Sequence, residues 1–350
     1  MTVEQSYSAA VRSTLRARPL TYLLRERLFL FLGLSLVVAL GLSLLVGRYP
    51  TAFWMSPAVL KGDELARQLV WNLRLPRVLT ACLLGMTLAG CGAVLQMIFR
   101  NPLVEPGFLG VSQGAAFGAG LSILYLGGAP LLMEGTATVF ACLGLTASYL
   151  VARRVRYGGW ILRLVLSGIA VSALFSSGVG MLKYLADPLT ELPDLVLWML
   201  GGLWGVTWAD FLYILPLVIP GLIVVLLMRW RLNLLSLDDE TSFSLGVAPG
   251  RERTLVLGAA VAATAAVVSV AGVVGWIGLI IPHIARRLTG ADAQRALPAS
   301  LLLGGLFALG CDVLSRALLA GEVPLGILTS FFGALLFIAM MLSRNIRVQR

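Results

Sequence analysis

Residues 28–47 read LFLFLGLSLVVALGLSLLVG, a run of twenty residues without a charge. A helix needs about 20 apolar residues to cross the hydrocarbon core of a bilayer. The core of a signal peptide is shorter and ends at a small-residue cleavage site, and no clear site of that kind follows here. We therefore expect residues 28–47 to form a membrane-spanning helix that the protein retains.

The rest of the chain repeats this pattern. Of the 350 residues, 59% are hydrophobic and only 13% are charged, which is about half the charged share of ordinary soluble domains. This composition excludes a soluble enzyme, a disordered protein and a DNA-binding domain. Nine further apolar segments follow, at 78–99, 107–127, 136–152, 160–182, 209–228, 254–274, 276–289, 296–319 and 324–343. We predict an all-α membrane protein with ten transmembrane helices; segment 276–289 is short for a crossing, and 191–204 is expected at the surface or as a re-entrant segment.

The positive charges predict the orientation. Loops on the cytoplasmic side of a membrane are enriched in Lys and Arg. If residues 1–27 form a cytoplasmic tail and the spans alternate, 20 of the 27 positive residues lie inside and 7 outside. We therefore expect a transmembrane domain at 28–343, a cytoplasmic tail at 344–350 and both termini inside. The net charge of +10 then reflects topology and not binding to nucleic acid.

A weak internal repeat is also expected. Three residues recur at an offset of 180: Gly92, Pro102 and Gly110 as Gly272, Pro282 and Gly290. Five spans separate the two copies, so the copies would lie in the membrane with inverted topology, as transporter repeats often do. The alternative is that Gly and Pro only punctuate these helices.

Residues for catalysis are sparse. The single histidine, His283, lies in an apolar segment, and both lysines, Lys61 and Lys183, follow a leucine. A phosphate loop needs a glycine before its lysine, so this chain has no ATP site of that type. Asp312 is the main acid inside a predicted span, and Arg316 lies one helical turn away, which predicts a local ion pair. We expect no catalytic residue, cofactor or metal site.

Two short polar stretches stand at predicted ends of spans. Arg74-Leu75-Pro76-Arg77 precedes the second span on the outer side, where two guanidinium groups could bind carboxylates of a partner or phosphates of lipid. On the inner side, Arg100 to Ser112 contains Asn101-Pro102-Leu103 and several glycines. Such a rigid turn is either part of a gate at the inner mouth or a structural helix hairpin.

A third stretch lies between the sixth and seventh spans on the inner side. Residues 236–247 read SLDDETSFSLGV and predict a short amphipathic helix. Ser236 would cap its start, the three acids suit a helix N-terminus, and Gly246 would stop it. Such a helix either sits in a groove of a partner or is a solvated loop between spans.

Together these residues resemble one family, the FecCD type of permease in ABC importers for iron-siderophore complexes, haem and cobalamin. The matching stretches are Arg74–Arg77, Gly90–Gln96, Arg100–Leu103, Gly110–Gly114, Ser236–Gly246, Gly278–Arg286 and Asp312–Gly326. The resemblance implies a cobalamin-importer-like permease of ten helices in the bacterial inner membrane. It also implies a second permease copy, as a homodimer or close heterodimer, two ATP-binding subunits inside and a substrate-binding protein outside.

The resemblance implies roles for particular residues. Arg74, Arg77 and Arg316 would dock the binding protein. Asn101, Pro102 and Leu103 would belong to a cytoplasmic gate. The coupling helix that meets the ATPase would consist of Ser236, Leu237, Asp238, Asp239, Glu240, Ser242, Leu245 and Gly246, although many relatives carry a single acid where this chain has three.

The expected function is that of a permease subunit without its own ATPase site, which moves a ferric siderophore across the inner membrane. Haem and cobalamin are the alternative cargoes within the same class. An ion-coupled secondary transporter and a membrane scaffold are the alternatives outside it.

Overall fold

The computed structural model describes residues 27–49, 53–319 and 321–342. The expected tails at 1–27 and 344–350 lie outside these residues, except for Arg27. In chain order the helices are α1 (Arg27–Leu45), α2 (Val59–Gly62), α3 (Glu64–Leu69), α4 (Leu75–Ile98), α5 (Val111–Tyr125), α6 (Pro130–Arg154), α7 (Trp160–Leu185), α8 (Glu191–Leu200), α9 (Trp208–Leu227), α10 (Arg229–Leu235), α11 (Asp239–Ser244), α12 (Pro249–Ala271), α13 (Ile277–Thr289), α14 (Ala293–Ala317) and α15 (Leu325–Leu342).

Short elements connect these helices. Strands β1 (Val46–Gly47) and β2 (Phe53–Trp54) form an antiparallel pair after α1. A π-helical turn, Val70–Arg74, joins α3 to α4, and a 3₁₀ turn, Pro106–Leu109, precedes α5. The chain is thus an all-α membrane protein, as the sequence predicts.

Within the described ranges, eight helices are long and apolar enough to cross a membrane. The two other predicted spans, 107–127 and 276–289, form α5 with 15 residues and α13 with 13 residues. At about 1.5 Å per residue, neither helix reaches the roughly 30 Å of a hydrocarbon core. The count of ten full crossings is therefore not confirmed, because two of the expected spans are continued by irregular chain.

The irregular chain before α13 is stabilised by a polar side chain. Non-helical backbone at membrane depth is tolerated only where protein groups satisfy it. At the start of α13, the backbone N–H of Trp276 donates to Glu105 Oε2 at 3.3 Å. Further along α13, Gln96 Nε2 of α4 donates to the carbonyls of Gly278 and Leu279 at 3.1 and 3.0 Å. The start of α13 is thus held by Gln96 of α4 and by Glu105, which lies in the turn after α4.

The helix order supports an internal repeat, but not through the residue pairs that suggested it. A long, a short and a long helix of 24, 15 and 25 residues (α4 to α6) recur as 23, 13 and 25 residues (α12 to α14). The first long helix of each half also packs on the short helix of the other half, α4 on α13 and α12 on α5. However, Gly92 lies inside α4 whereas Gly272 follows the end of α12, and Pro102 lies in a turn whereas Pro282 lies inside α13. The connections differ in length, so a constant offset of 180 does not match equivalent positions.

Helix α4 lies at the centre of the core. In the apolar part of the continuous helical stretch Glu64–Ile98, which contains α4, 83% of the residues are buried, whereas the corresponding share in α1 is 17%. It crosses α14 with the two backbones in contact, because a Cβ on Gly85 would overlap the carbonyl of Gly304 and the reverse is also true. Small residues permit such close crossings in membranes. This crossing positions the outer ends of α4 and α14 next to each other.

Segment 191–204 forms α8 and then an irregular stretch. The helix packs against α5 and α15. Its end is joined to α12, since the backbone N–H of Gly202 donates to Ala271 O at 2.8 Å. The segment thus lies beside the spans, at the end of the protein that the distribution of positive charge predicts to be outside; we call this end the outer end and the opposite one the inner end.

Candidate functional site

At the outer ends of α4 and α14 lies a group of charged side chains that we call the outer arginine cluster. It consists of Arg48, Arg74, Arg77, Arg316, Asp312 and Glu322. All of these except Asp312 line a cavity of about 310 Å³. With four arginines and two acids, the cluster carries an excess of positive charge.

Arg77 is the centre of this cluster. Pro76 lies in the first turn of α4, where proline is tolerated, and Arg77 follows it. Its Nε donates to Asp312 Oδ1 at 2.8 Å, and its Nη1 donates to both carboxylate oxygens of Glu322 at 2.8 and 2.7 Å. Arg77 is 8% exposed and Asp312 is fully buried. One guanidinium group therefore links α4 to α14 and to the connection before α15.

Arg316 connects α14 to the end of α1. The ion pair with Asp312 that the spacing predicts is confirmed, with Nη2 3.1 Å from Asp312 Oδ2. Arg316 also donates to the carbonyl of Val46 at 3.0 Å and to the hydroxyl of Ser43 at 2.9 Å. Like Arg77, it is only 8% exposed.

Arg74 contributes to the same end of α1. The last carbonyls of a helix have no partner within the helix, and that end carries partial negative charge. Arg74 donates to the carbonyl of Leu44 at 2.9 Å and to that of Tyr49 at 3.3 Å. Arg48 similarly donates to the carbonyl of Arg316, in the last turn of α14, at 3.4 Å. The arginines of the cluster thus act as helix caps as well as charges.

The structure brings the three predicted docking arginines together, but it gives each of them partners within the chain. Arg74 is partly exposed, while Arg77 and Arg316 are almost completely buried. Sequence reasoning missed the role of Glu322 and the membership of Arg48. Glu322 could have been found as the one acid in the predicted outer connection at 320–323. Docking by these arginines stays a prediction.

At the inner end, the predicted coupling segment forms α11, which is shorter than the expected 236–247. Its N-cap is Asp238 and not Ser236 as predicted. Asp238 Oδ2 accepts the backbone N–H of Thr241 at 2.9 Å and its hydroxyl at 2.7 Å, and these hydrogen bonds lower the pKa of Asp238. Ser236 instead donates its hydroxyl to Asn233 O at 2.6 Å, at the end of α10. Gly246 follows the helix with φ +80°, a conformation that favours glycine, as the predicted stop requires.

One face of α11 is fixed to the membrane helices. The hydroxyl of Ser242, which is buried, donates to Leu234 O at 2.7 Å. Arg253, in the first turns of α12, donates to Asp239 Oδ1 at 2.6 Å and to Leu235 O at 2.9 Å. Because Arg253 is 3% exposed, this contact holds α11 firmly against α12.

The other face of the coupling segment is open. Phe243 is 74% exposed, Leu245 is 54% exposed, and Leu237 and Glu240 also reach the surface. A helix that is fixed on one side and shows large apolar side chains on the other is typical of a surface that binds a partner.

The predicted gate turn adjoins this segment. Asn101, Pro102 and Leu103 are exposed, and Asn101 Oδ1 accepts the backbone N–H of Leu103 at 2.9 Å, which closes a local turn. The guanidinium group of Arg100 donates to the carbonyl of Leu237. The structure therefore joins two inner stretches that the sequence treated separately.

In the part of the chain that the structure describes, no three His, Cys, Asp or Glu side chains lie close enough to hold a metal ion.

The buried ion pair of Arg77 gives a stability prediction. Arg77→Gln removes one of the two partners of Asp312 and the partner of Glu322. Breaking a buried ion pair typically costs about 3–5 kcal/mol; because Arg316 remains, we expect a loss of about 2–4 kcal/mol in the free energy of unfolding. Denaturant titration of the purified protein in mixed micelles measures it.

Arg67→Gln is the matched control for this prediction. Arg67 pairs with Glu64 at 2.7 Å, but the two side chains are 56% and 65% exposed. Exposed pairs contribute less than about 1 kcal/mol, so this variant should be nearly as stable as the wild type. Equal losses in both variants would show that the outer arginine cluster contributes no special stability.

Comparison with known proteins confirms the resemblance. The family model of the FecCD transport family matches residues 35–343. The chain is 37% identical over 313 residues to the molybdate import system permease protein MolB of Haemophilus influenzae, covering 87% of this chain and 92% of that one. It is 40% identical over 288 residues to the hemin transport system permease protein HmuU of Yersinia pestis, covering 79% and 84%. A solved structure described as an inward-facing conformation of a metal-chelate type ABC transporter superposes with a TM-score of 0.84 at 36% identity, covering 90% of this chain and 99% of that one. The chain belongs to the FecCD transport family.

Proposed function

We propose that this chain is the permease of a binding-protein-dependent ABC importer for a ferric siderophore, with both termini in the cytoplasm. Membership of the family and the multi-pass fold support the general class, a membrane permease that works with ATPase and substrate-binding partners and a second permease. The observation that carries the proposal is the inner surface formed by α11. It presents Phe243 and Leu245 to solvent while Arg253 and Arg100 fix its base to the membrane helices.

In this proposal α11 transmits the movement of the ATPase subunits. Its exposed apolar side chains sit in a groove of the ATPase. The Arg253 contact transfers displacement to α12, and the Arg100 contact transfers it to the turn at Asn101–Leu103. The proposed gate at Asn101–Leu103 then closes and opens through rigid-body movements of packed helices. No residue of this chain performs covalent chemistry.

The outer arginine cluster is proposed to dock the binding protein. An acidic side chain of that partner reaches Arg74 directly, since this arginine is partly exposed. To reach Arg77 it must replace Glu322, whose carboxylate already occupies Nη1. Docking by Arg77 is therefore an exchange of one carboxylate for another.

The cargo is proposed from the family, in which ferric siderophores are the most common assignment. The similar proteins named above carry names that refer to molybdate, hemin and metal chelates, and cobalamin is a further alternative. We expect vesicles that contain the permease, its ATPase and its binding protein to take up labelled ferric siderophore when ATP is supplied. Haem, cobalamin and molybdate serve as the competing cargoes. Preferential uptake of one of these would replace the assignment, and uptake by the permease alone, driven by an ion gradient, would refute the ABC mechanism.

The coupling surface gives a second test. Leu245→Asp places a charge in the proposed ATPase groove and should reduce ATP-driven uptake about tenfold or more, because a charge in an apolar contact is disfavoured, while the variant remains folded and membrane-inserted. Leu65→Asp is the matched control, because Leu65 is 52% exposed on α3 at the outer end. Normal uptake by the Leu245 variant would contradict the role of α11.

Docking is tested separately by charge reversal at the outer end. Arg74→Glu should weaken binding of the substrate-binding protein about tenfold or more, because the reversed charge repels the acidic side chain that Arg74 attracts. Arg77 is less suitable for this test, because its loss breaks a buried ion pair with Asp312, whereas Arg74 donates to the backbone carbonyls of Leu44 and Tyr49. Lys183→Glu, which reverses an outer charge away from the cluster, is the control. Surface plasmon resonance on permease in nanodiscs measures both, and equal affinities would reject docking at the cluster.

A further inference from the structure

A second cavity lies at the outer end, between α6, α8, α9 and α12. Its volume is about 640 Å³, within the range of sites that hold small organic molecules. The lining is mainly apolar, with Met133, Val206 and Val270 among the side chains, and two indole rings, Trp198 and Trp204, also face it. Its polar side-chain groups include two carboxyls, those of Glu134 and Asp210, and the indole N–H of Trp198.

Glu134 is buried in this cavity, and one of its two carboxylate oxygens has no hydrogen-bond donor. It is 4% exposed, and its Oε2 receives no hydrogen bond from any group of the described chain. The charged group that acts on it is a second carboxyl, that of Asp210. Asp210 is held in place as part of the N-terminal cap of α9, where its Oδ2 accepts the backbone N–H and the hydroxyl of Thr207 at 2.7 and 2.9 Å. Two acids therefore adjoin each other, and no Lys or Arg of the described residues lines the cavity.

The other deeply buried acid of the described chain, Asp312, has positively charged partners. Within the described ranges, Glu134 and Asp312 are the acidic side chains that are more than nine-tenths buried. Asp312 has two arginine partners, Arg77 and Arg316. A buried carboxylate without a counter-charge is strongly disfavoured. The acid pair at Glu134 is therefore neutralised either by a shared proton or by a positive group from outside the chain.

Trp198 supplies an independent observation. Its side chain is 8% exposed and lines the same cavity, yet its indole N–H has no hydrogen-bond partner. A buried indole N–H normally donates to an acceptor, and it can only donate. A bare cation beside Glu134 would leave this donor unsatisfied. An organic molecule that carries both a cationic nitrogen and an oxygen acceptor would satisfy both the acid pair and the indole N–H.

We propose that this cavity binds an organic cation, an ammonium or guanidinium group on a small apolar frame with an oxygen acceptor. The cationic nitrogen pairs with Glu134 and Asp210. The oxygen accepts the N–H of Trp198, and the ring of Trp204 covers the apolar frame and favours the positive charge. Such a group comes either from a free small amine or from a Lys or Arg side chain of the docked binding protein, since the cavity shares Gly205 and Val206 with the outer arginine cluster.

The test uses the permease in nanodiscs and isothermal titration calorimetry. The probe is tyramine, and tyrosol, in which a hydroxyl replaces the amine, is its uncharged counterpart. We expect saturable binding of tyramine and binding of tyrosol at least tenfold weaker. Absence of saturable tyramine binding, or equal affinity for the two probes, would overturn the proposal, because the acid pair would then be satisfied by a shared proton.

Variants locate the site. Glu134→Gln keeps the shape of the side chain and removes a buried charge, so it should fold normally and bind tyramine at least tenfold more weakly. Trp198→Phe should also weaken binding. Asp194→Asn is the matched control, because it removes an exposed outer acid on α8, outside the cavity. Unchanged binding in Glu134→Gln, or an equal loss in Asp194→Asn, would place the tyramine elsewhere and reject the site.

A second titration distinguishes the two sources of the cation. If the group belongs to the binding protein, saturating binding protein should displace tyramine from the wild-type permease. If it belongs to a free amine, tyramine affinity should stay the same in the complex. This displacement titration is done after tyramine binding and its dependence on Glu134 have been shown. It is the one experiment here that rests on the proposed function, because it uses the binding protein.

Discussion

The structure depends on the contact between α4 and α14. In a membrane, helices gain little from burying apolar surface, so close packing and polar contacts decide which helices associate. Here Gly85 and Gly304 bring the two backbones together. Closer to the outer ends of the same helices, Arg77 and Asp312 join them through an ion pair. The glycines allow the close approach, and the ion pair fixes its register. The short helix α13 then packs on the inner half of α4, and the outer arginine cluster forms where α4 and α14 end.

Local features of the sequence predicted much of this arrangement. Hydropathy located the apolar segments, because the requirement of about 20 apolar residues is a local one. The pair of Asp312 and Arg316 was equally predictable, since both residues lie on one helix face. The contact of Arg77 with Glu322 was not, because 245 positions separate the two residues and only the packing of α4 on α14 brings them together. The start of α11 was misplaced for a similar reason: Ser236 and Asp238 are both good caps, and Ser236 is already used at the end of α10.

The functional surfaces differ in how far the sequence could describe them. The family resemblance identified the inner and outer stretches, and the structure shows how each is held. At the inner end, Arg100 and Arg253 converge on the segment between α10 and α11, so the turn at Asn101–Leu103 and helix α12 share one attachment. At the outer end, the arginines proposed to dock the binding protein already have carboxylate or carbonyl partners within the chain. The Glu134 cavity lay outside every motif, since its members come from four helices and no spacing rule connects them.

The attachment of α1 has a consequence for the biogenesis of the protein. Few side chains of α1 are buried, and its end is held by Arg74 and by Arg316, the latter 273 positions beyond Ser43. At a synthesis rate of about 5–20 residues per second, roughly 15–55 s pass between the emergence of Ser43 and that of Arg316 from the ribosome. During this interval only the Arg74 side of this attachment can form, and the end of α1 gains its contact with Arg316 when one of the last helices arrives.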